Sequence, residues 1–287
     1  MKNKPENVVI IIGAMKSGTT SLYKLLSQHP SICPCSQKEP NYFSSKNLDL
    51  SQTNSYLDLW PEYNSKVHTW ALEASTNYSK RPAFQNVPER IAQVKNLNFK
   101  FIYCVRDPVS RIKSHMAHMA ISRKNINHLK LCDHFINVSR YYFQIHPYLD
   151  LFSKENILIV PIGRLNRHPS DVLNEVCEFL CIDTSFEFPV EQIRANSAAW
   201  AIKNSFLSLM KSKELNWNSL IFTKFAVLSL FSIYTQKIFK GSYMNTFFQK
   251  LDPARISRVK MKEINLAISD DLEFFLKTFK VDKNDLH

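Results

Sequence analysis

The chain has 287 residues, 45% of them hydrophobic and 22% charged, with 37 Lys and Arg against 25 Asp and Glu and a formal net charge of +12. The length accommodates one large α/β domain or a domain with a sizeable extension, the composition is that of an ordinary globular protein, and no repeat or low-complexity linker argues for an independent second domain. The positive balance suits a polyanionic ligand: a nucleotide, a nucleic acid, an anionic glycan or a membrane surface.

The N-terminus enters an apolar run, Val8 to Ile12, almost at once, and nothing before it has the pattern of a secretory leader. This run reads as a buried strand. Gly13 and Gly18 bracket a loop, and Thr19 to Gln28 reads as a helix with Leu22, Leu25 and Leu26 at helical spacing, ended by His29-Pro30. Residues 31–45 are Pro-punctuated and partly extended. A second strand is expected at 66–75, a helix at 87–97 with Pro88 in its first turn, and a buried strand at 100–108 that stops at Asp107-Pro108. Helices follow at 109–122 and within 130–152. Next come a strand at 156–161 and an amphipathic helix at 168–182 carrying Val172, Val176 and Phe179.

Strands alternating with helices predict an α/β fold, a central parallel sheet covered on both faces. Ligands of such sheets bind beyond the carboxyl ends of the strands, so residues 13–20 and 106–114 share one rim. Residues 197–250 give no clear pattern, and the last 35 residues read as helical. The apolar stretch 219–234 is about 16 residues long and contains Lys224, short of the ~20 residues that cross a bilayer. It reads as a core helix or one lining a substrate mouth, with an interfacial anchor as the alternative, and no transmembrane segment is expected. The six cysteines, Cys33, Cys35, Cys104, Cys132, Cys177 and Cys181, form no CxxC pair and no zinc-like cluster. They read as free thiols in a reducing compartment, with the cytoplasm as the expected location.

The loop after the first strand carries the chemistry. A strand-loop-helix turn aims successive backbone N–H groups inward, and the helix N-terminus adds positive potential for an anion. Lys16 adds a full charge, and Ser17, Thr19, Thr20 and Ser21 add hydroxyls beside Gly18. A magnesium-dependent nucleotide kinase would place a lysine directly after the second glycine and an acid at the end of a neighbouring strand. Here Thr19 follows Gly18, and the strand "FIYCV" ends in Arg106, a phosphate ligand and a poor ligand for magnesium. The kinase is therefore the second reading. A non-catalytic polyanion-binding protein is the third, although no helix-turn-helix, zinc-finger or RNP signature points to nucleic acid.

The residues resemble a family. "GAMKSGTTSLYKLLSQHP" is similar to the 5′-phosphosulfate loop of sulfotransferases that use 3′-phosphoadenosine 5′-phosphosulfate (PAPS), and "FIYCVRDPVSRIKSH" to their 3′-phosphate motif. "KEPNYFS", "LEASTNYSKRP", "VPERI" and "NILIVPIGRLNRHPSDVLNEVCEFL" resemble the heparan sulfate sulfotransferase branch and its bacterial relatives. The similarity covers residues 8–182, with a weaker echo near the C-terminus. It implies a P-loop-like three-layer fold and in-line transfer of a sulfuryl group from PAPS to a hydroxyl or amine, with adenosine 3′,5′-bisphosphate (PAP) released and no metal required. Lys16 would contact the bridging oxygen, Ser17, Gly18, Thr19, Thr20 and Ser21 would hold the 5′-phosphate, and Arg106 and Ser114 the 3′-phosphate.

On the acceptor side, the resemblance makes Glu39 the first candidate for the general base, with a surface pair to Lys38 as the plainer alternative. His115, one residue after Ser114, is the second candidate. Glu73, near a strand end, would orient Lys16, contact the acceptor or serve in an ion pair. Two departures weaken a heparan-like acceptor: Ala74 stands where that branch tends to carry a lysine, and Asn41 where it often carries a histidine. A small molecule or another glycan remains open as acceptor. Residues 1–287 read as one sulfotransferase domain, with a PAPS-binding core over 8–182 and a mostly helical part from about 197 that shapes the acceptor site. Lys237, Lys240 and Gly241 offer a basic loop for the 3′-phosphate, or a turn between helices.

Overall fold

The computed structural model describes residues 4–46, 48, 53–121, 128–191 and 258–287. The apolar stretch 219–234, Lys237, Lys240, Gly241 and the span 197–250 lie outside the described residues. Contacts divide the chain into one unit of Met1–His115, Asn125–Val190 and Ile256–His287 and another of Met116–Lys124 and Glu191–Arg255. The architecture that follows is that of the first unit. Of the second, only residues 116–121, which end a helix, and residue 191 are described.

Five parallel strands form the sheet: β1 (Asn7–Gly13), β2 (Ile32–Pro34), β3 (Trp70–Ala74), β4 (Asn98–Val105) and β5 (Ile157–Pro161), in the order β2-β3-β1-β4-β5. β1 pairs β3 with Ile11 opposite Ala74, and β4 with Ile11 opposite Ile102. The chain leaves β1 towards β2 on one side and leaves β4 towards β5 on the other. The β1–β4 boundary is thus the topological switch point where such sheets bind ligands.

Alternation along the strands sends side chains to two faces. Val8, Ile10 and Ile12 face a core built from Phe101, Tyr103, Phe43 and Tyr56, closed by Tyr141 and Tyr148. Val9, Ile11, Leu72 and Ile102 occupy the opposite face and are wholly buried. The helix α1 (Thr19–Leu26) packs on β1 and β3, while α2 (Thr53–Leu57) carries Tyr56 into the first core. Next in order are α3 (Val87–Ala92), α4 (Pro108–Ile121), α5 (His128–Ser139), α6 (Tyr141–Leu151), α7 (Ile162–Arg167) and α8 (Pro169–Leu180), then α9 (Arg258–Phe279). α8 lies on β5, and the Trp70 indole of β3 donates to Leu180 O at its end (2.8 Å). The α/β expectation holds: a parallel sheet with helices on both faces.

Several boundaries differ from expectation. The strand expected at 66–75 begins only at Trp70, because Val67 and His68 close a turn on Asn64 O (3.0 and 2.8 Å). The helical span 130–152 is two helices, broken at Arg140 (φ −82°, ψ 86°). Within α6, Pro147 cannot donate to Phe143 O, and the Arg81 guanidinium binds that carbonyl instead. The helix expected over 87–97 ends at Ala92, and α7 is an element the pattern does not announce. The C-terminal residues are helical as expected. Asp271 of α9 accepts from the N–H groups of Tyr142 and Phe143 (2.9 and 2.8 Å), capping α6. A final 3₁₀ turn (Lys283–Leu286) buries Leu286, whose carbonyl accepts from Asp107 N–H at 2.8 Å, next to Arg106.

Candidate active site

The loop after β1 is tied to β4 by Ala14 N–H donating to Cys104 O (2.7 Å), then curls through Ser17 N–H to Ala14 O (3.1 Å). Two glycines permit the path. A Cβ on Gly13 (φ +150°) would meet Ser79 Oγ at 1.9 Å, and one on Gly18 (φ +83°) would meet Ile162 Cδ1 at 2.1 Å. Gly18 is the N-cap of α1. It contributes no capping side chain and no acid follows in the first turn, so the helix offers its free N–H groups and positive end to an anion. Ser17 is wholly buried, with its hydroxyl beside that of Tyr141. That Tyr141 hydroxyl donates to Arg106 O (2.7 Å) and accepts from Arg106 N–H (3.3 Å). Thr19 is buried, Ser21 half-buried and Thr20 exposed.

Arg106 follows β4 directly, beside this loop. Burial pushes the Lys16 ammonium below its ordinary pKa, and the Arg106 charge lowers it further. Neither cation has an ion-pair partner among the described residues. Two repelling cations, a buried hydroxyl and an uncapped helix therefore converge at the switch point. Ser114 lies half-buried on α4, eight residues beyond Arg106.

Glu39 sits at the carboxyl end of β3, where its N–H donates to Ala74 O (2.9 Å). Its Oε2 accepts from Thr76 N–H (2.9 Å) and Thr76 Oγ1 (3.2 Å), while Lys38 Nζ lies 3.1 Å from Oε1. The side chain keeps 32% of its surface exposed, so the carboxylate is held yet reachable. Asn41 braces the same bend: its Nδ2 donates to Glu39 O (2.7 Å), and both residues have left-handed φ (56° and 58°). Ala74 is wholly buried.

Glu73 does not join this group. It is wholly buried and accepts from Tyr56 OH and Ser75 Oγ, both at 2.7 Å. Burial raises its pKa, and the hydroxyls of Tyr56, Tyr78 and Ser75 oppose the rise. Neither Lys16 nor any ion pair engages it among the described residues, so it organises the core beneath the site.

His115 is enclosed, with 3% of its surface exposed, against the Phe135 ring at 4.8 Å. Its Nδ1 accepts from Arg111 Nη1 at 3.3 Å. Arg111, Thr76 and Tyr141 are not announced by the sequence pattern. The spacing of Arg111 and His115, four apart on one helix, is the available signal. Thr76 and Tyr141 have none, because each reaches its partner from a distant segment.

Residues 6–254 match the sulfotransferase domain family. The chain belongs to that family. The family match favours the sulfotransferase reading over the kinase and polyanion-binder readings. The chain is 26% identical over 202 residues to a bifunctional heparan sulfate N-deacetylase/N-sulfotransferase 4 of Mus musculus, covering 62% of this chain and 23% of the mouse protein. It is 36% identical over 103 residues to the membrane-associated sulfotransferase kil1 of Dictyostelium discoideum, covering 36% of this chain and 21% of that one. The sulfotransferase thus spans less than a quarter of the length of these relatives. A sulfotransferase structure from Alicyclobacillus acidocaldarius aligns with a TM-score of 0.54 at 23% identity, over 69% of this chain and 91% of that one, which supports the fold.

Proposed function

We propose that this sulfotransferase holds PAPS across the ends of β1 and β4 and passes the sulfuryl group to a hydroxyl or amine of a small molecule or glycan. The observation that carries the reading is the pairing of Lys16 and Arg106, two cations with no ion-pair partner among the described residues, beside the wholly buried Ser17 hydroxyl. Those features fit the group: the free N–H groups of α1 and the hydroxyls of Ser17, Thr19, Thr20 and Ser21 suit the 5′-phosphate. Arg106, its backbone gripped by Tyr141, and Ser114 suit the 3′-phosphate. PAPS, when bound, supplies the activated sulfuryl group.

The chain's own residues supply the rest. Lys16 opposes charge that grows on the departing oxygen, a preorganised donor in a loop whose path Gly13 and Gly18 permit. Glu39 accepts the proton of the attacking hydroxyl or amine, with Thr76 and Lys38 fixing its carboxylate. Its exposure favours it over the enclosed His115. The heparan sulfate N-sulfotransferase named among the relatives keeps a glycan amine among the acceptors to try, although buried Ala74 leaves no cation there. The free thiols of Cys33, Cys35, Cys104, Cys177 and Cys181 support a reducing compartment, the cytoplasm in this reading.

The test is transfer of labelled sulfate from PAPS to a panel of phenols, alcohols, amines and glycans, with wild type and Glu39→Gln. Transfer by wild type that Glu39→Gln loses while still binding PAP supports the assignment. Equal transfer by both removes Glu39 from the mechanism.

A further inference from the structure

Arg111 is the largest wholly buried side chain of the described residues, with 0% of its surface exposed. All its acceptors are neutral. Nε donates to Ser139 Oγ (2.7 Å), Nη2 to Phe135 O (2.8 Å), and Nη1 to His115 Nδ1 (3.3 Å) and Met15 O (3.4 Å). No carboxylate pairs with it among the described residues. A guanidinium keeps its proton in proteins, and a buried charge without a partner is costly. Burial accordingly pulls the Arg111 pKa below its ordinary value. A merely structural buried arginine would be expected to meet an acid.

The missing counter-charge has an evident place. Met15, whose carbonyl Arg111 holds, precedes Lys16 in the loop, and the loop's other charged neighbour is Arg106. Three cations surround one loop, and no acid pairs with any of them among the described residues. We propose that Arg111 is a positioning residue for the cosubstrate, a buried fixed charge that braces the phosphosulfate loop through Met15 and is compensated only when an anion occupies it. The inference rests on the cosubstrate site proposed above, and it assigns Arg111 to the 5′ end of the nucleotide. A bound 5′-phosphate would relieve both the burial cost of Arg111 and the repulsion between Lys16 and Arg106. The energy of holding Arg111 unpaired then reappears as affinity for the anion.

The test compares PAP, which has both phosphates, with adenosine 3′-monophosphate, which lacks the 5′ group. Dissociation constants are measured calorimetrically for wild type, Arg111→Lys and Arg111→Met. Arg111→Met is expected to weaken PAP at least about tenfold more than it weakens adenosine 3′-monophosphate, with Arg111→Lys in between. Equal weakening of both nucleotides, or unchanged PAP affinity in a folded but less stable variant, would overturn the proposal and leave Arg111 a packing residue. Arg111→Gln, which keeps N–H donors without charge, carries the comparison should Arg111→Met fail to fold. Failure of wild type to bind PAP would strike the cosubstrate site itself, a separate result.

Discussion

Thr76 donates twice to Glu39, through its N–H at 2.9 Å and its hydroxyl at 3.2 Å, both to Oε2. The segment after β2 and the turn after β3 are thereby pinned at one carboxylate. If Glu39 is the base, Glu39→Gln lowers kcat by ~10²–10⁴ and leaves PAP affinity unchanged. Thr76→Val deletes one of the two donors and lowers kcat about tenfold, the worth of one charge-assisted hydrogen bond. Steady-state kinetics beside PAP titration separates these effects. A fall in PAP affinity matching the fall in kcat would place Glu39 on the nucleotide instead.

Gly18 faces two separate obstacles to substitution: its φ of +83° and the Ile162 side chain, 2.1 Å from where a Cβ would stand. Gly18→Ala is expected to cost at least ~1–2 kcal/mol of stability from the left-handed backbone alone, with the clash added. Ile162→Ala relieves only the clash. The double variant should therefore remain about 1 kcal/mol or more below Ile162→Ala in urea unfolding. Full recovery would show that the φ carries no cost.

The buried Glu73 carboxylate depends on its hydroxyl donors, since burial opposes its charge. Tyr56→Phe removes the 2.7 Å donor in a wholly buried position, with an expected loss of ~1–3 kcal/mol. Denaturant unfolding reads the change directly. A loss below a few tenths would mean that Tyr78 and Ser75 satisfy the group unaided.

Lys80 lies in the same neighbourhood, its Nζ donating to Asn77 Oδ1 at 2.8 Å. Burial pushes its pKa down to about 8; the Glu39 charge opposes the fall and the Arg111 charge adds to it. Between about 8 and the ordinary 10.5 the unfolded chain binds the proton that the folded chain has lost. Stability contributed through this group therefore rises with pH across that window, and below it the burial cost is constant. The Tm of wild type minus that of Lys80→Met should grow from pH 7.5 to 9.5. A difference that stays flat or shrinks would contradict the depressed pKa.

Much of the site was legible because it rests on local pattern. Val8–Ile12 followed by Gly13 and Gly18 defines a strand, a loop and a helix within one short segment, and Arg106 after an apolar strand places a cation on the same rim. The parallel sheet followed from alternation of elements. What escaped was decided by distant partners. Arg111 reads as one more charge on a helix, and α5, with Phe135 and Ser139 lying 24 and 28 residues further on, helps to bury it. Glu73 reads as a strand-end acid until Tyr56 closes over it from α2. β2 spans three residues ending in Pro34, too short for any periodicity to register. The break at Arg140 carries no glycine or proline to announce it.

Thermal stabilisation by PAP, set against ATP with magnesium, for wild type and Arg106→Ala, tests the central claim most directly. At about 100 times its dissociation constant, a ligand that binds only the folded state adds ~2.7 kcal/mol, a readily visible shift. The account predicts that PAP stabilises wild type without metal and that Arg106→Ala loses most of that gain. Stabilisation by magnesium-ATP with none from PAP would contradict it.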